Sequence, residues 1–330
     1  MTITTCMVTN MYPTDDNPGY GVFIKSQIDS ITAAGHDVDV IFIDGRKSSW
    51  NYLAAVVRLR RMLKNGRYDV VHAHYGLSGM VARAQRRCPV VVSFCGDDLL
   101  GTSNGRGGIT LKSRLLVWLG QVLAKSADGI ILKSEQMKER LAFSSARQRA
   151  MVIPNGVDLE MFRPLERGDA RDALGMKGDM PYVLFAGAPR VRVKRFDLAQ
   201  AAVAIARKVY HDVELVTLDA RPQSEVPLYM SACDVMLVTS DSEGSPNMVK
   251  EAMACNLPVV SVDAGDAWQV MGDAEHCHRA EREVADIADK LGRVLAVRAR
   301  SDGRKHIGHL GLGAVAERVI GVYQEVLRRG

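Results

Sequence analysis

Residues 240–260 read SDSEGSPNMVKEAMACNLPVV and hold two glutamates, Glu243 and Glu251, on either side of a Gly244-Ser245-Pro246-Asn247 turn. The turn leads into a helical pattern that Asn247 can begin, with Pro246 before it, and an apolar strand follows. The first amides of a helix lack intrahelical partners and attract anions. A carboxylate one turn further in repels phosphate but accepts hydrogen bonds from paired hydroxyls, as on a ribose. Glu251 therefore reads as a hydroxyl binder, and Glu243 as a second one nearer a reacting centre. A second candidate is FAGAPRVRVKRFDLAQAAV (185–203). An apolar strand there ends at Gly187, and Arg190, Arg192, Lys194 and Arg195 follow just before a helix that Asp197 can cap. Cations at a strand's carboxyl end, beside a helix start, suit a diphosphate.

Two further loops follow strands. NMYPTDDNPGYGVFIKSQ places Gly19 and Gly21 ahead of a helix, where glycine lets backbone approach a ligand. VVVSFCGDDLLGT brings Cys95, Gly96, Asp97 and Asp98 to a strand end. Two adjacent acids without a third ligand make a poor metal site. His72 and His74 in VVHAHYG share one face of a strand, but no further zinc ligands can be placed near them. His276-Cys277-His278 likewise lacks flanking ligands.

These loops need elements to hold them, and the pattern supplies two series. TITTCMV, DVDVIFI, DVVHAH, PVVVSF and DGIILKS read as buried strands, separated by helical stretches such as WNYLAAVVRLRRMLK. A second series starts at YVLFAG and runs through DVELVTL, DVMLVTS and LPVVSVD. Strands alternating with helices predict parallel sheets, here an α/β chain of two doubly wound domains. The joint falls near VIPNGVDLEMFRPLERG, where Pro154, Gly156, Pro164 and Gly168 punctuate the chain. In such sheets ligands bind outside the carboxyl ends of the strands, so facing domains would form a cleft from these loops.

The chain has 330 residues and a net charge of +5. Residues 1–160 carry net +6 and the remainder net −1, and residues 46–114 hold 13 basic against 3 acidic side chains. This one-sided excess predicts an anionic partner: a phosphate-rich substrate, an acidic membrane surface or nucleic acid. WNYLAAVVRLRRMLKNGRY (50–68) and TLKSRLLVWLG (110–120) mix tryptophan with basic residues, as helices lying on anionic lipid do. No aromatic-basic motif for reading nucleic acid is present. No apolar run is long enough to span a membrane, and MTITTCMVTN lacks the basic start of a secretory signal. Six scattered cysteines without a CxxC pair fit reduced thiols, hence a cytoplasmic protein.

The sequence resembles family-4 retaining glycosyltransferases of the GT-B fold, of the bacterial surface-polysaccharide type. Glu243-x7-Glu251 within SEGSPNMVKEAMACNLPVV and VIPNGVDLEMFRP (152–164) carry the resemblance. The Gly19/Gly21 loop, AAGHDVDV (33–40), DVVHAHYG (69–76) and GAPRVRVKRFDLAQA (187–201) support it. It implies an N-terminal acceptor-binding Rossmann-like domain over 1–160 and a C-terminal nucleotide-sugar-binding one over 161–330. The last helix, about 312–328, is expected to return to the N-terminal domain. The resemblance implies metal-independent transfer from a nucleotide-diphosphate sugar to a glycan or lipid-linked glycan, without a cofactor, on the inner face of the plasma membrane. Lys194 would hold the diphosphate, Glu243 the donor sugar at its reacting face, and Glu251 the ribose. Amides of Gly244, Ser245 and Asn247 around Pro246 would hold sugar and phosphates, with Gly19 and Gly21 approaching the diphosphate. Cys95, Gly96, Asp98 and His74 fall on the acceptor side.

Three departures qualify these roles. Cys95 stands where the family has histidine. Ala188 stands where it has arginine, leaving Arg190 or Arg192 as the substitute beside Lys194. DARPQSEV replaces a longer base-holding segment. The alternatives are a transferase or phosphorylase on a small soluble acceptor, or a non-catalytic nucleotide-sugar binder.

Overall fold

The computed structural model describes residues 2–64, 66–101, 108, 110–219 and 221–329. Asn65 in the basic stretch, Thr102 at the end of the Cys95 loop and Ala220 in DARPQSEV lie outside the described residues. The chain divides into two compact units, one of residues 1–156 with 312–330, the other of residues 157–311.

The first unit is built on β1 (Thr4–Thr9), β2 (Asp37–Phe42), β3 (Val70–His74), β4 (Val90–Ser93), β5 (Gly129–Leu132) and β6 (Ala150–Val152). All pairings are parallel, in the order β2-β1-β3-β4-β5-β6. Helices α1 (Val22–Ala33), α2 (Trp50–Leu63), α3 (Gly76–Arg83), α4 (Asp97–Leu100), α5 (Leu111–Ser126), α6 (Glu135–Glu139) and α7 (Ser144–Arg149) connect them. Parallel strands covered on both faces must be apolar throughout. Accordingly β3, β4 and β5 are buried along their whole length.

The second unit holds α8 (Arg167–Leu174), β7 (Tyr182–Phe185), α9 (Phe196–Ala206), β8 (Glu214–Thr217), α10 (Val226–Ala232) and β9 (Val235–Val238). It continues with α11 (Asn247–Ala254), β10 (Val259–Ser261), α12 (Ala267–Met271), β11 (His278–Arg279) and α13 (Val284–Val297). Its parallel sheet runs β11-β10-β9-β7-β8. Strand order reverses between β1 and β3 in one sheet and between β7 and β9 in the other. Such switch points open a crevice at the strands' carboxyl ends.

The final helix, α14 (Leu312–Arg329), joins the first unit's core. Its apolar stripe, including Val315, Val319 and Val322, packs with Ile24, Ile28 and Ile31 of α1 against one face of the sheet. Gly129 makes room for it, because a Cβ there would lie 2.9 Å from Val326 Cγ2. Its polar anchor is Tyr323, whose hydroxyl lies 2.6 Å from His72 Nδ1, while His72 Nε2 lies 2.8 Å from Ser93 Oγ. Burial pushes His72 down to about 3, so the ring is neutral at ordinary pH. Helix α3 has no counterpart in the sequence expectations. It is eight residues long with glycines at 76 and 79, poor helix formers. Packing decides it: a Cβ at Gly79 would lie 2.3 Å from Leu123 of α5.

The second unit is tied beneath its sheet by a buried charge. Asp234 accepts from Arg171 at 2.9 Å, Arg298 at 3.2 Å and the Tyr182 amide at 2.8 Å, and lies 3.1 Å from Arg167. Arg304 donates to the carbonyls of Leu159, Phe162 and Ala254, which holds the VDLEMFRP segment to this unit.

Tyr323→Phe leaves His72 Nδ1 buried without its partner, and such orphaned groups cost about 1–3 kcal/mol. Denaturant melts should show a loss of that size. An unchanged midpoint would mean that the apolar stripe alone fixes α14.

Candidate active site

The second unit's switch point is where the charged loops meet. The loop after β7 and the loop after β9 are bonded backbone to backbone: the Asp241 amide donates to the Val193 carbonyl at 2.8 Å. Thr239 Oγ1 donates to the carbonyls of Lys194 at 2.9 Å and Arg195 at 3.0 Å. Arg195 sits in the left-handed region at φ 53 and ion-pairs with both Asp197 and Asp241. Between the loops Lys194 Nζ donates to Glu243 Oε1 at 2.6 Å. The two side chains are 24% and 16% exposed, so the pair is sheltered yet reachable. Gly187 permits this path, since a Cβ there would meet Lys194 Cγ at 2.9 Å. An ammonium carries three N–H donors, so Lys194 keeps two for an anion while Glu243 keeps lone pairs for hydroxyls.

The turn beyond Glu243 is supported from the loop after β10. Gly265, at φ 63, lies where a Cβ would come within 3.0 Å of the Glu243 and Gly244 carbonyls. Ser245 Oγ donates to Asp266 Oδ2 at 2.7 Å, so that hydroxyl shapes the turn. Arg282 spans both loops through the carbonyls of Ser240 and Asp263. Pro246 is buried at the start of α11, and the Gly244 and Ser245 amides have no protein acceptor among the described residues. Lys250 is buried below them and lies 3.4 Å from Asn247 Oδ1. Glu251 is partly buried, and desolvation pushes its carboxyl up to about 7 against a smaller downward pull from Lys250. Asp266, Gly265, Arg282 and Lys250 escaped the sequence reading. The rule that singles out loops after strands, applied to VDAGD after β10, would have found the first two.

Other expected residues lie elsewhere. Arg190 is exposed and turned to the end of β8, where its guanidinium pairs with Asp219. Arg192 is exposed on a short helical turn. Neither bonds Lys194 or Glu243 among the described residues. The partner of Arg190 is an acid offered by a neighbouring strand end.

In the first unit, Asp98 is buried and accepts from the amides of Gly76 at 3.0 Å, Cys95 at 3.1 Å and Gly96 at 2.9 Å. Through these bonds it latches two strand ends together. Burial raises its carboxyl to about 6 against those three bonds. His74 is also fully buried, against His72 at 4.6 Å between ring centroids, and neither ring nitrogen has a partner. Cys95 is partly buried, its thiol pushed up to about 12 by burial, and Gly96 turns at φ 137. Between these residues Tyr75 holds φ 76, an unusual strain for a residue with a side chain. Gly21 begins α1 at φ 75, where a Cβ would meet the Met11 carbonyl carbon at 2.4 Å, so its role is to admit the loop's own backbone. Gly19 is exposed with open space around it. Among the described residues no three His, Cys, Asp or Glu side chains converge as metal ligands.

Two parallel-sheet α/β units, each with a switch point, are the architecture of the GT-B fold. Residues 43–156 match the glycosyl transferase 4-like domain and residues 201–296 the glycosyl transferases group 1 domain, so the chain carries both domains of a family-4 glycosyltransferase, a hexosyltransferase by class. The D-inositol 3-phosphate glycosyltransferase of Segniliparus rotundus is 28% identical over 306 residues, covering 80% of this chain and 68% of that protein. Sucrose-phosphate synthase from Thermosynechococcus elongatus superposes with a TM-score of 0.79 at 18% identity over 100% of both chains. The catalytic domain of starch synthase IV from Arabidopsis thaliana, bound to ADP and acarbose, gives 0.74 at 12% identity, again over 100% of both.

A raised Glu251 carboxyl means that the folded state keeps a proton which the unfolded state releases above 4.5. This contribution is full below 4.5 and is lost as pH rises through about 7. Melting midpoints of Glu251→Gln should therefore gain on wild type between pH 5 and pH 8. A constant difference across that range would show that the carboxyl is ionised throughout.

Proposed function

We propose that this enzyme moves a hexosyl unit from a nucleoside diphosphate sugar to a hydroxyl of a small polar acceptor, with retention and without a metal ion. The observation that carries the reading is the Lys194–Glu243 pair, which sets a cation and a hydroxyl acceptor side by side at a switch point. Departure of the diphosphate breaks the C1–O bond and leaves negative charge on oxygen and positive charge on the sugar ring. The Lys194 ammonium and the Gly244 and Ser245 amides would stabilise the leaving oxygens. Glu243 would orient the sugar through its hydroxyls, and Glu251 would take the ribose. The acceptor oxygen attacks C1 from the face that the phosphate leaves, and its proton passes to the departing phosphate oxygen. The ADP in the starch synthase structure and the inositol phosphate in the relative's name support a nucleotide donor and a small acceptor. Cys95 and Gly96, beside the strained Tyr75, would shape the acceptor's side. Six free thiols fit a reducing cytoplasm.

A second acceptor class, a lipid-linked glycan of a surface polysaccharide, is favoured by the exposed tryptophans of α2 and α5. Among the described residues no helix is long and apolar enough to cross a membrane.

Glu243→Gln keeps the shape of the site and removes the charge. Transfer should fall about 100-fold or more, the scale for losing one preorganised electrostatic group. The melting midpoint and its rise with donor should persist. Unchanged transfer would remove Glu243 from the reacting centre. No transfer or donor hydrolysis across a panel of nucleotide sugars would leave a binding protein.

A further inference from the structure

The turn between α3 and β4 is held from inside by one buried side chain. Gln85 donates from Nε2 to the Cys88 carbonyl at 2.9 Å, and its Oε1 accepts from the amides of Arg87 at 2.6 Å and Cys88 at 3.0 Å. The Cys88 thiol donates in turn to the Tyr68 carbonyl at 3.2 Å. Arg60 of α2 ties the turn from the side, its Nε and Nη2 donating to the Ala84 carbonyl at 3.0 and 2.7 Å. The turn is therefore fixed in shape, yet its two outermost side chains, Arg86 and Arg87, are exposed. Backbone tied this firmly holds them in place before anything binds, which lowers the ordering cost of binding.

Arg86 and Arg87 stand between two hollows and line both. One is a cavity of about 350 Å³ whose other wall carries Arg60 and Lys64. The second is a cavity of about 620 Å³ that takes in Arg83 and Asp128. Both fall in the range of small-molecule sites, about 300–1,000 Å³. Five cations thus line the two hollows against one acid. That acid is already committed, because Asp128 Oδ2 accepts from the Val90 amide at 2.8 Å and lies 3.5 Å from Arg83. Among the described residues no ion pair uses Arg60, Lys64, Arg86 or Arg87. Like charges gathered without partners work against the fold, and a bound anion relieves them. Guanidinium forks fit phosphate oxygens, and Arg60 keeps three of its five N–H donors. No aromatic ring lines either hollow, so recognition falls on phosphate groups and not on a base. Pro89 and Asp128 immediately precede β4 and β5, which puts the hollows at the amino ends of these strands. Cys95 and Gly96 follow the opposite, carboxyl end of β4.

We propose that the Arg86–Arg87 turn is a binding site for a short polyphosphate chain, with a phosphate group in each hollow and the two arginines on the bridge between them. The site uses none of the residues assigned to sugar transfer and stands or falls apart from that reading. Full-length protein is titrated calorimetrically, at constant ionic strength, with inorganic tripolyphosphate and with ATP, which separate a condensed phosphate from a nucleotide as the source of the chain. Tripolyphosphate should bind with Kd below about 1 mM. The double variant Arg86→Ala with Arg87→Ala should bind it about tenfold more weakly or worse, with an unchanged melting midpoint in its absence. Arg58→Ala with Arg61→Ala, a pair exposed on α2 outside both hollows, should bind as wild type does. Lys194→Met should also keep the binding. No binding to wild type overturns the proposal, as does ATP binding without tripolyphosphate binding. An equal loss in the Arg58/Arg61 pair would reduce the effect to net charge and overturn it too. Loss in Lys194→Met with retention in the Arg86/Arg87 pair would assign the anion to the second unit.

Discussion

The candidate site of the second unit depends on one contact, the 2.6 Å bond between Lys194 and Glu243. It joins side chains 49 residues apart, so neither loop can fix it alone. The parallel order β8-β7-β9 places the two loops next to each other, and the Asp241–Val193 backbone bond closes them together. Glycine supplies the remaining room twice, at 187 beneath the lysine and at 265 behind the glutamate. A partly shielded ion pair adds little stability by itself. In the proposed reaction its value would lie in presenting a charge for phosphate and an acceptor for hydroxyls at fixed separation before any ligand arrives.

The first unit treats its strand ends differently. Asp98 spends both carboxylate oxygens on backbone amides, and His74 is closed in without a partner. Lys133 at the end of β5 is buried with one long contact, 3.5 Å to the Ile153 carbonyl. Buried polar groups that lack partners are costly, and they collect where a structure serves something besides stability. The φ of 76 at Tyr75 belongs to the same region. Buried polar atoms without a partner thus gather mainly on the first unit, whereas the other non-glycine residues with positive φ lie in the second.

Much of the architecture was legible because it rests on local patterns. Alternating β-branched runs and helical spacing encode parallel sheets, and strand ends show where loops will matter. That logic marked Lys194 and Glu243, and the fold brings them together. Arg190 was harder to place because its partner Asp219 comes from β8, and pairing between loops leaves no local trace. The burial of Asp98 and His74 was hidden for a related reason. Acidic and imidazole side chains at a strand end look exposed until three amides, or a covering helix, are seen to enclose them. Gly21 was correctly noticed as a backbone requirement, but the crowding comes from Met11 and Tyr12. Helix α3 was invisible to propensity because Gly79 answers to packing against α5.

The central claim is that Lys194 and Glu243 act as one unit on the donor. A double-mutant cycle in kcat/KM, with Lys194→Met, Glu243→Gln and both together, measures this directly. Residues that act as a unit are strongly non-additive. The double variant should therefore be about as slow as the slower single variant. Losses that multiply would show two independent contributions and contradict the account.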